Sequence, residues 1–141
     1  MNLIRCSISV ASLCVTALPC IAIADDLPAL RKGMWEFNRS VEDSTAAGKP
    51  MNMTNKKCAD PTADMKKMNV MLAKGSCKLS PAVKSGNAYS FTYGCQVQGI
   101  PMQTRSVMSV ESDSAYKVNV TSTAGARSTK EVLVAKRLGD C

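Results

Sequence analysis

The sequence predicts a mainly β protein: an antiparallel meander of about seven strands forming a small barrel or curved sandwich, with one short α-helix between strands 2 and 3. Three observations carry this expectation. Apolar and polar side chains alternate in short runs, turn-rich segments separate those runs at even spacing, and only one segment places its apolar residues at helical intervals. The chain has 141 residues, 45% hydrophobic and 21% charged, the size of one domain with enough apolar material for a core. Disordered, collagenous and coiled-coil classes are excluded on that composition. Aromatics make up only 4%, so the core must be built largely from aliphatic side chains and Met. The chain contains no histidine, which removes the usual near-neutral acid/base and the commonest metal ligand together.

The first segment reads as an address. Met1 to Arg5 carries one positive charge, Cys6 to Ile23 carries none, and Ala22-Ile23-Ala24 precedes Asp25-Asp26. This is the architecture of a secretory signal peptide, residues 1–24, cleaved after Ala24. A membrane anchor is the rival, but Ser, Thr and Pro dilute the stretch. Leu13 before Cys14 and Pro19 before Cys20 lack the small residue of a lipidation site. The expected product is a single disulfide-stapled β domain, residues 25–141, in the periplasm or outside the cell. Removing Arg5 leaves 17 Lys and Arg against 11 Asp and Glu, a net charge of +6. Such a balance suits an anionic envelope component. Specific nucleic-acid binding is not expected, because the basic residues run from Arg31 to Arg137 without interleaved stacking aromatics.

Within the domain, Trp35, Phe37, Arg39 and Val41 alternate with Glu36, Asn38 and Ser40 in a half-buried first strand, which the segment Thr45 to Pro50 closes. A second strand runs from Met51 to Cys58. Asp60-Pro61 then supplies a cap oxygen and a residue suited to the first helical turn, and Gly75 supplies the stop, giving a helix from Pro61 to Lys74. Met65, Met68, Met71 and Leu72 fall on one side of it and Lys66, Lys67 and Lys74 elsewhere, so the Met face is expected to dock onto the sheet as core. The third strand, from Cys77 to Val83, contains Pro81, a sign of an edge or a bulge. A turn at Ser85-Gly86-Asn87 leads to the fourth, Tyr89 to Cys95. Strands from Met102 to Val110, Tyr116 to Ser122 and Thr129 to Leu138 complete the seven.

Cys58, Cys77, Cys95 and Cys141 form an even set in an exported chain, which implies two disulfides. If the hairpin turns about Gly86, residues whose numbers sum to 172 face one another, and Cys77 and Cys95 meet on one face about 5 Å apart. Cys58 is left for Cys141. The competing pair, Cys58 with Cys77, must span a helix about 20 Å long. Zinc is the rival use of the thiols, but the close C-x2-C spacing of structural sites is missing.

Gly33-Met34-Trp35-Glu36, Cys58-Ala59-Asp60-Pro61, Gly75-Ser76-Cys77, Cys95 and the terminal Arg137-Leu138-Gly139-Asp140-Cys141 together resemble the bacterial domain-of-unknown-function 3617 family. Its members typically read GLWE, CLTPE and RLGDC at these places. The resemblance spans essentially the whole mature chain and implies an exported protein of Gram-negative bacteria with four paired cysteines. It carries no assigned activity and no catalytic or binding residues. Met34 in place of Leu, and Ala59-Asp60 in place of Leu-Thr, depart from the pattern and leave the framework intact.

Local chemistry offers weak candidates, each with a plain rival. Met65, Met68 and Met71 have the spacing of a thioether site for Cu(I), which is also the spacing of a buried helix face in an aromatic-poor core. Ser114-Ala115-Tyr116-Lys117 matches the S-x-x-K nucleophile motif, but at a strand turn rather than on the helix that motif requires. The first functional expectation is therefore a non-catalytic binding module without a cofactor, holding a small apolar or amphipathic ligand against Tyr89, Phe91, Tyr93 and Val118. An envelope structural or interaction protein using a cationic surface is the second, and Met-based Cu(I) binding the third.

Overall fold

The computed structural model describes residues 27–46 and 49–141, so the expected signal peptide lies outside the described residues. Eight strands form one antiparallel sheet: β1 (Gly33–Asp43), β2 (Met51–Ala59), β3 (Cys77–Leu79), β4 (Val83–Ser85), β5 (Ala88–Val97), β6 (Ile100–Ser112), β7 (Ala115–Ala124) and β8 (Arg127–Gly139). The helix α1 (Pro61–Lys74) lies between β2 and β3. Strand order is β2-β1-β8-β7-β6-β5-β3, with β4 also on β5. The sheet is thus open, with β2 at one edge and β3 and β4 at the other.

The count is eight rather than seven because Pro81 splits the expected third strand. Proline has no amide hydrogen for the ladder, and the chain leaves the sheet at Ser80-Pro81-Ala82. The break also changes the register. Ser85 faces Ala88 across the two-residue turn Gly86-Asn87, a sum of 173, whereas Leu79 faces Tyr93 and Cys77 faces Cys95, a sum of 172. One extra residue on the Pro81 side accounts for the shift, as in a β-bulge. As a result Val83 shares a face with Ser90 and not with Leu79. The β5–β6 connection is likewise a two-residue turn: Gln98 and Gly99 both take positive φ, 52° and 79°, which suits the twist of a hairpin.

Pairing registers sort the side chains cleanly. On one face lie Trp35, Phe37 and Arg39 of β1, Leu133 and Ala135 of β8, Tyr116, Val118 and Val120 of β7, Met108 of β6, and Phe91 and Tyr93 of β5. The opposite face carries Asn38, Ser40, Thr54, Lys56, Arg105, Lys117, Asn119 and Lys130. This is the apolar-in, polar-out alternation of a sheet with one wet face.

The packed core occupies one end of the apolar face. Leu30, Trp35, Tyr89, Met108, Tyr116 and Ala135 are buried there, and Trp35 has no solvent exposure. Its indole Nε1 donates to the Arg31 carbonyl at 3.0 Å, so the polar edge of the ring is satisfied. Helix α1 begins above this core. Asp60 caps it by accepting from the Ala63 amide at 3.0 Å. Thr62 accepts from the Leu30 amide at 2.9 Å and donates to the Pro28 carbonyl at 2.8 Å, which ties the incoming chain to the first helical turn. The expected Met face does not dock along its length. Met65 is half-buried against the core, but Met68 is 51% and Met71 72% exposed. The helix is held at its ends, by Thr62 at the start and by the short link into β3 at the finish, and its middle stands off the sheet.

Candidate functional site

The space left beneath α1 is a cleft of about 1060 Å³ between the helix and the apolar sheet face. Met65, Met68 and Leu72 line it from the helix. Leu79, Phe91, Tyr93, Met108, Tyr116, Val118, Val120 and Leu133 line it from the sheet. These positions follow from the strand registers: Val118 faces both Met108 and Leu133 across its neighbouring strands, and Phe91 is opposite Ser106. The lining is mostly apolar with a few polar groups, which is the composition of small-molecule sites.

Charge enters the cleft at Arg39 and Glu131, whose Nε and Oε1 are 2.9 Å apart, and at Lys66 on the helix. Arg39 occupies the apolar face because it follows Trp35 and Phe37 in strict alternation, and Glu131 supplies its partner from β8. The Tyr116 hydroxyl is pushed up to about 12, first by burial and second by the negative charge of Asp64, so it stays a neutral phenol. Neither arrangement couples a nucleophile to a base.

Of the residues expected at the site, Phe91, Tyr93 and Val118 come together in the cleft. Tyr89 lies outside it: only 8% exposed, it packs in the core beside Met108, and Lys84 Nζ sits 5.4 Å from its ring centroid. Met65 and Met68 reach the cleft but Met71 does not, so the three thioethers do not converge on one point facing the sheet. Ser114 sits in the β6–β7 turn, where its hydroxyl donates to Asp113 Oδ1 at 2.7 Å, while Lys117 belongs to the polar face. The sequence reading missed Leu79, Met108, Tyr116 and Leu133. Each stands at an alternating position of its strand, and that periodicity is the signal which could have found them.

Cys77–Cys95 and Cys58–Cys141 form the two disulfides, with Cα separations of 4.0 and 5.9 Å. The second belongs to a lock built from both ends of the domain. Gly33 faces Ala59, and Met34 stands between Cys58 on β2 and Gly139 on β8. Arg137 Nε donates to the Lys32 carbonyl at 2.9 Å, and its guanidinium pairs with Asp140. The G-M-W-E and R-L-G-D-C segments are therefore parts of one structural knot that holds the β2-β1-β8 end of the sheet.

One open antiparallel sheet, neither the closed barrel nor the sandwich the sequence predicts, with a single helix over its apolar face, defines the class: a disulfide-stapled single-sheet β domain with a cleft under the helix. The chain belongs to the family described as Protein of unknown function (DUF3617), whose model matches residues 30–141 and so includes both parts of the knot. No curated protein and no solved structure matches the chain.

Proposed function

We propose that the protein is an exported, non-catalytic binding module that holds a small apolar or amphipathic ligand in the cleft beneath α1. The observation that carries this reading is the unfilled volume of about 1060 Å³ along a face whose strands point Phe91, Met108, Val118 and Leu133 into it. A domain of this size gains stability from every apolar contact, and leaving such a face unpacked forgoes it. An apolar occupant would recover that contact. The Arg39–Glu131 pair and Lys66 give the polar end of an amphiphile somewhere to lie. Export is supported by the uncharged segment ending at Ala22-Ile23-Ala24 and by two disulfides, which persist in oxidising compartments.

Filling the cleft tests the reading. Ser106 and Val120 line it from neighbouring strands, and larger side chains there project into empty space. Ser106→Phe with Val120→Trp should retain the far-ultraviolet spectrum and the unfolding midpoint. The same variant should bind the apolar fluorophore N-phenyl-1-naphthylamine at least about tenfold more weakly than wild type, a loss of about 1.4 kcal/mol. Equal binding by the filled variant, or no saturable binding by wild type, overturns the proposal.

A further inference from the structure

The outer side of α1 sets exposed apolar side chains beside lysines. Met68, Val70 and Met71 are 51%, 53% and 72% exposed, three large apolar side chains within one turn of helix. Lys66, Lys67 and Lys74 are exposed around them, and Asp64 in the first turn is the acidic residue of the helix. At 100° per residue, Lys67 and Lys74 fall between Val70 and Met71, so charge and apolar surface share one side. Lysine stems lie along apolar surface and keep their ammonium groups at a polar boundary. Lysines set between exposed apolar side chains match a surface that is anionic outside and hydrocarbon within. Among the described residues no helix is long and apolar enough to cross a membrane.

We propose that the outer face of α1 docks on the interface of an anionic lipid bilayer. Val70 and Met71 enter the headgroup boundary, and Lys66, Lys67 and Lys74 meet the lipid phosphates. Met68 and Val70 are exposed and also line the cleft. The docking surface stands independently of what the cleft holds.

The test is co-sedimentation of the protein, purified from its native host, with vesicles of phosphatidylglycerol and phosphatidylcholine, and with phosphatidylcholine alone, at low ionic strength. Binding should require the anionic lipid and fall as salt is raised. Each lysine near an anionic surface is worth about fivefold in partitioning, so Lys67→Gln with Lys74→Gln should weaken binding about 25-fold. Lys117→Gln with Lys130→Gln removes the same charge from the polar sheet face, the side away from α1, and should cost less than about fivefold when read at about 0.1 M salt, where screening acts over about 10 Å. Met71→Ser should weaken binding about four- to tenfold, the value of half-burying its side chain. Equal losses from the two lysine pairs would reduce the effect to net charge and overturn the proposal. So would wild-type binding by Met71→Ser, or self-association of the protein that this substitution abolishes, which would make the face an interface between copies. A cleft-filled variant that still binds vesicles would separate failure of the cleft reading from failure of this one.

Discussion

Gly33→Ala is the sharpest perturbation of the knot that joins the two ends of the domain. Gly33 has φ +153°, outside the range favoured by other residues, and an added Cβ would lie 2.3 Å from the Gly139 carbonyl oxygen and 2.6 Å from Arg137 Nε. Relief would have to come from the β8 backbone. That backbone is held two residues later by the Cys141 disulfide to Cys58, and Arg137 is fixed by the Lys32 carbonyl and Asp140. An unfavourable backbone conformation costs about 1–3 kcal/mol and overpacking a similar amount, so the expected loss is about 2–6 kcal/mol. The assay is urea unfolding with both disulfides intact, reading midpoint and slope. Gly139→Ala is the matched control, since nothing lies within 4 Å of a Cβ built there. It should change stability by no more than about 0.5 kcal/mol. Equal effects of the two substitutions would refute the close-approach argument.

Other outcomes follow from the same geometry. Replacing Cys58 and Cys141 together with Ser should lower stability by about 4–5 kcal/mol and replacing Cys77 and Cys95 by about 3, because the first pair closes a sequence separation of 83 residues and the second one of 18; unfolding of the double variants checks the order. Met68→Ala should cost less than about 1 kcal/mol, against the 2–5 expected of a fully packed Met, because the side chain is 51% exposed; a loss in the larger range would show α1 packed onto the sheet. Asp43 is held well below the usual carboxylate range by hydrogen bonds from Arg127 and from the amide and hydroxyl of Thr45. Its folded pKa is depressed, so its contribution is present above the unfolded value of about 3.9 and fades as pH falls through the folded one. The stability gap between wild type and Asp43→Asn should therefore be largest near neutrality and begin to narrow below about pH 4, closing only below the depressed folded pKa, as read by denaturant midpoints across pH; a gap that widened in acid would contradict the pairing.

Much of this architecture is legible in the residues, and the failures have local causes. Alternation from Trp35 to Val41 placed Arg39 on the apolar face, and a cation there calls for a carboxylate partner, which Glu131 supplies. Asp60-Pro61 and Gly75 marked the helix ends because caps are local chemistry. The pairing of Cys77 with Cys95 came out correctly although two of its premises shifted. The turn is two residues rather than three, and the extra residue at Pro81 offsets the difference. What the sequence did not reveal is distance between layers. The helical spacing of Met65, Met68, Met71 and Leu72 is the same whether the helix lies on the sheet or bridges a gap above it. Which of the two occurs depends on how the helix is anchored at its ends relative to the sheet, which involves contacts distant in sequence such as Thr62 with Leu30 and Pro28. Tyr89 illustrates the same point: it shares a face with Phe91 and Tyr93, but it stands at the packed end of that face, and position along a face has no signature in alternation.

The central claim is that the cleft beneath α1 holds an apolar molecule, and native mass spectrometry of the protein purified from its own host tests it most directly. The account predicts a non-covalent mass increment that accompanies the folded charge states, leaves on unfolding, and is absent from Ser106→Phe with Val120→Trp. A wild-type protein that carries no increment and takes none up from host lipid extract, or an increment that the filled variant retains in full, would contradict it.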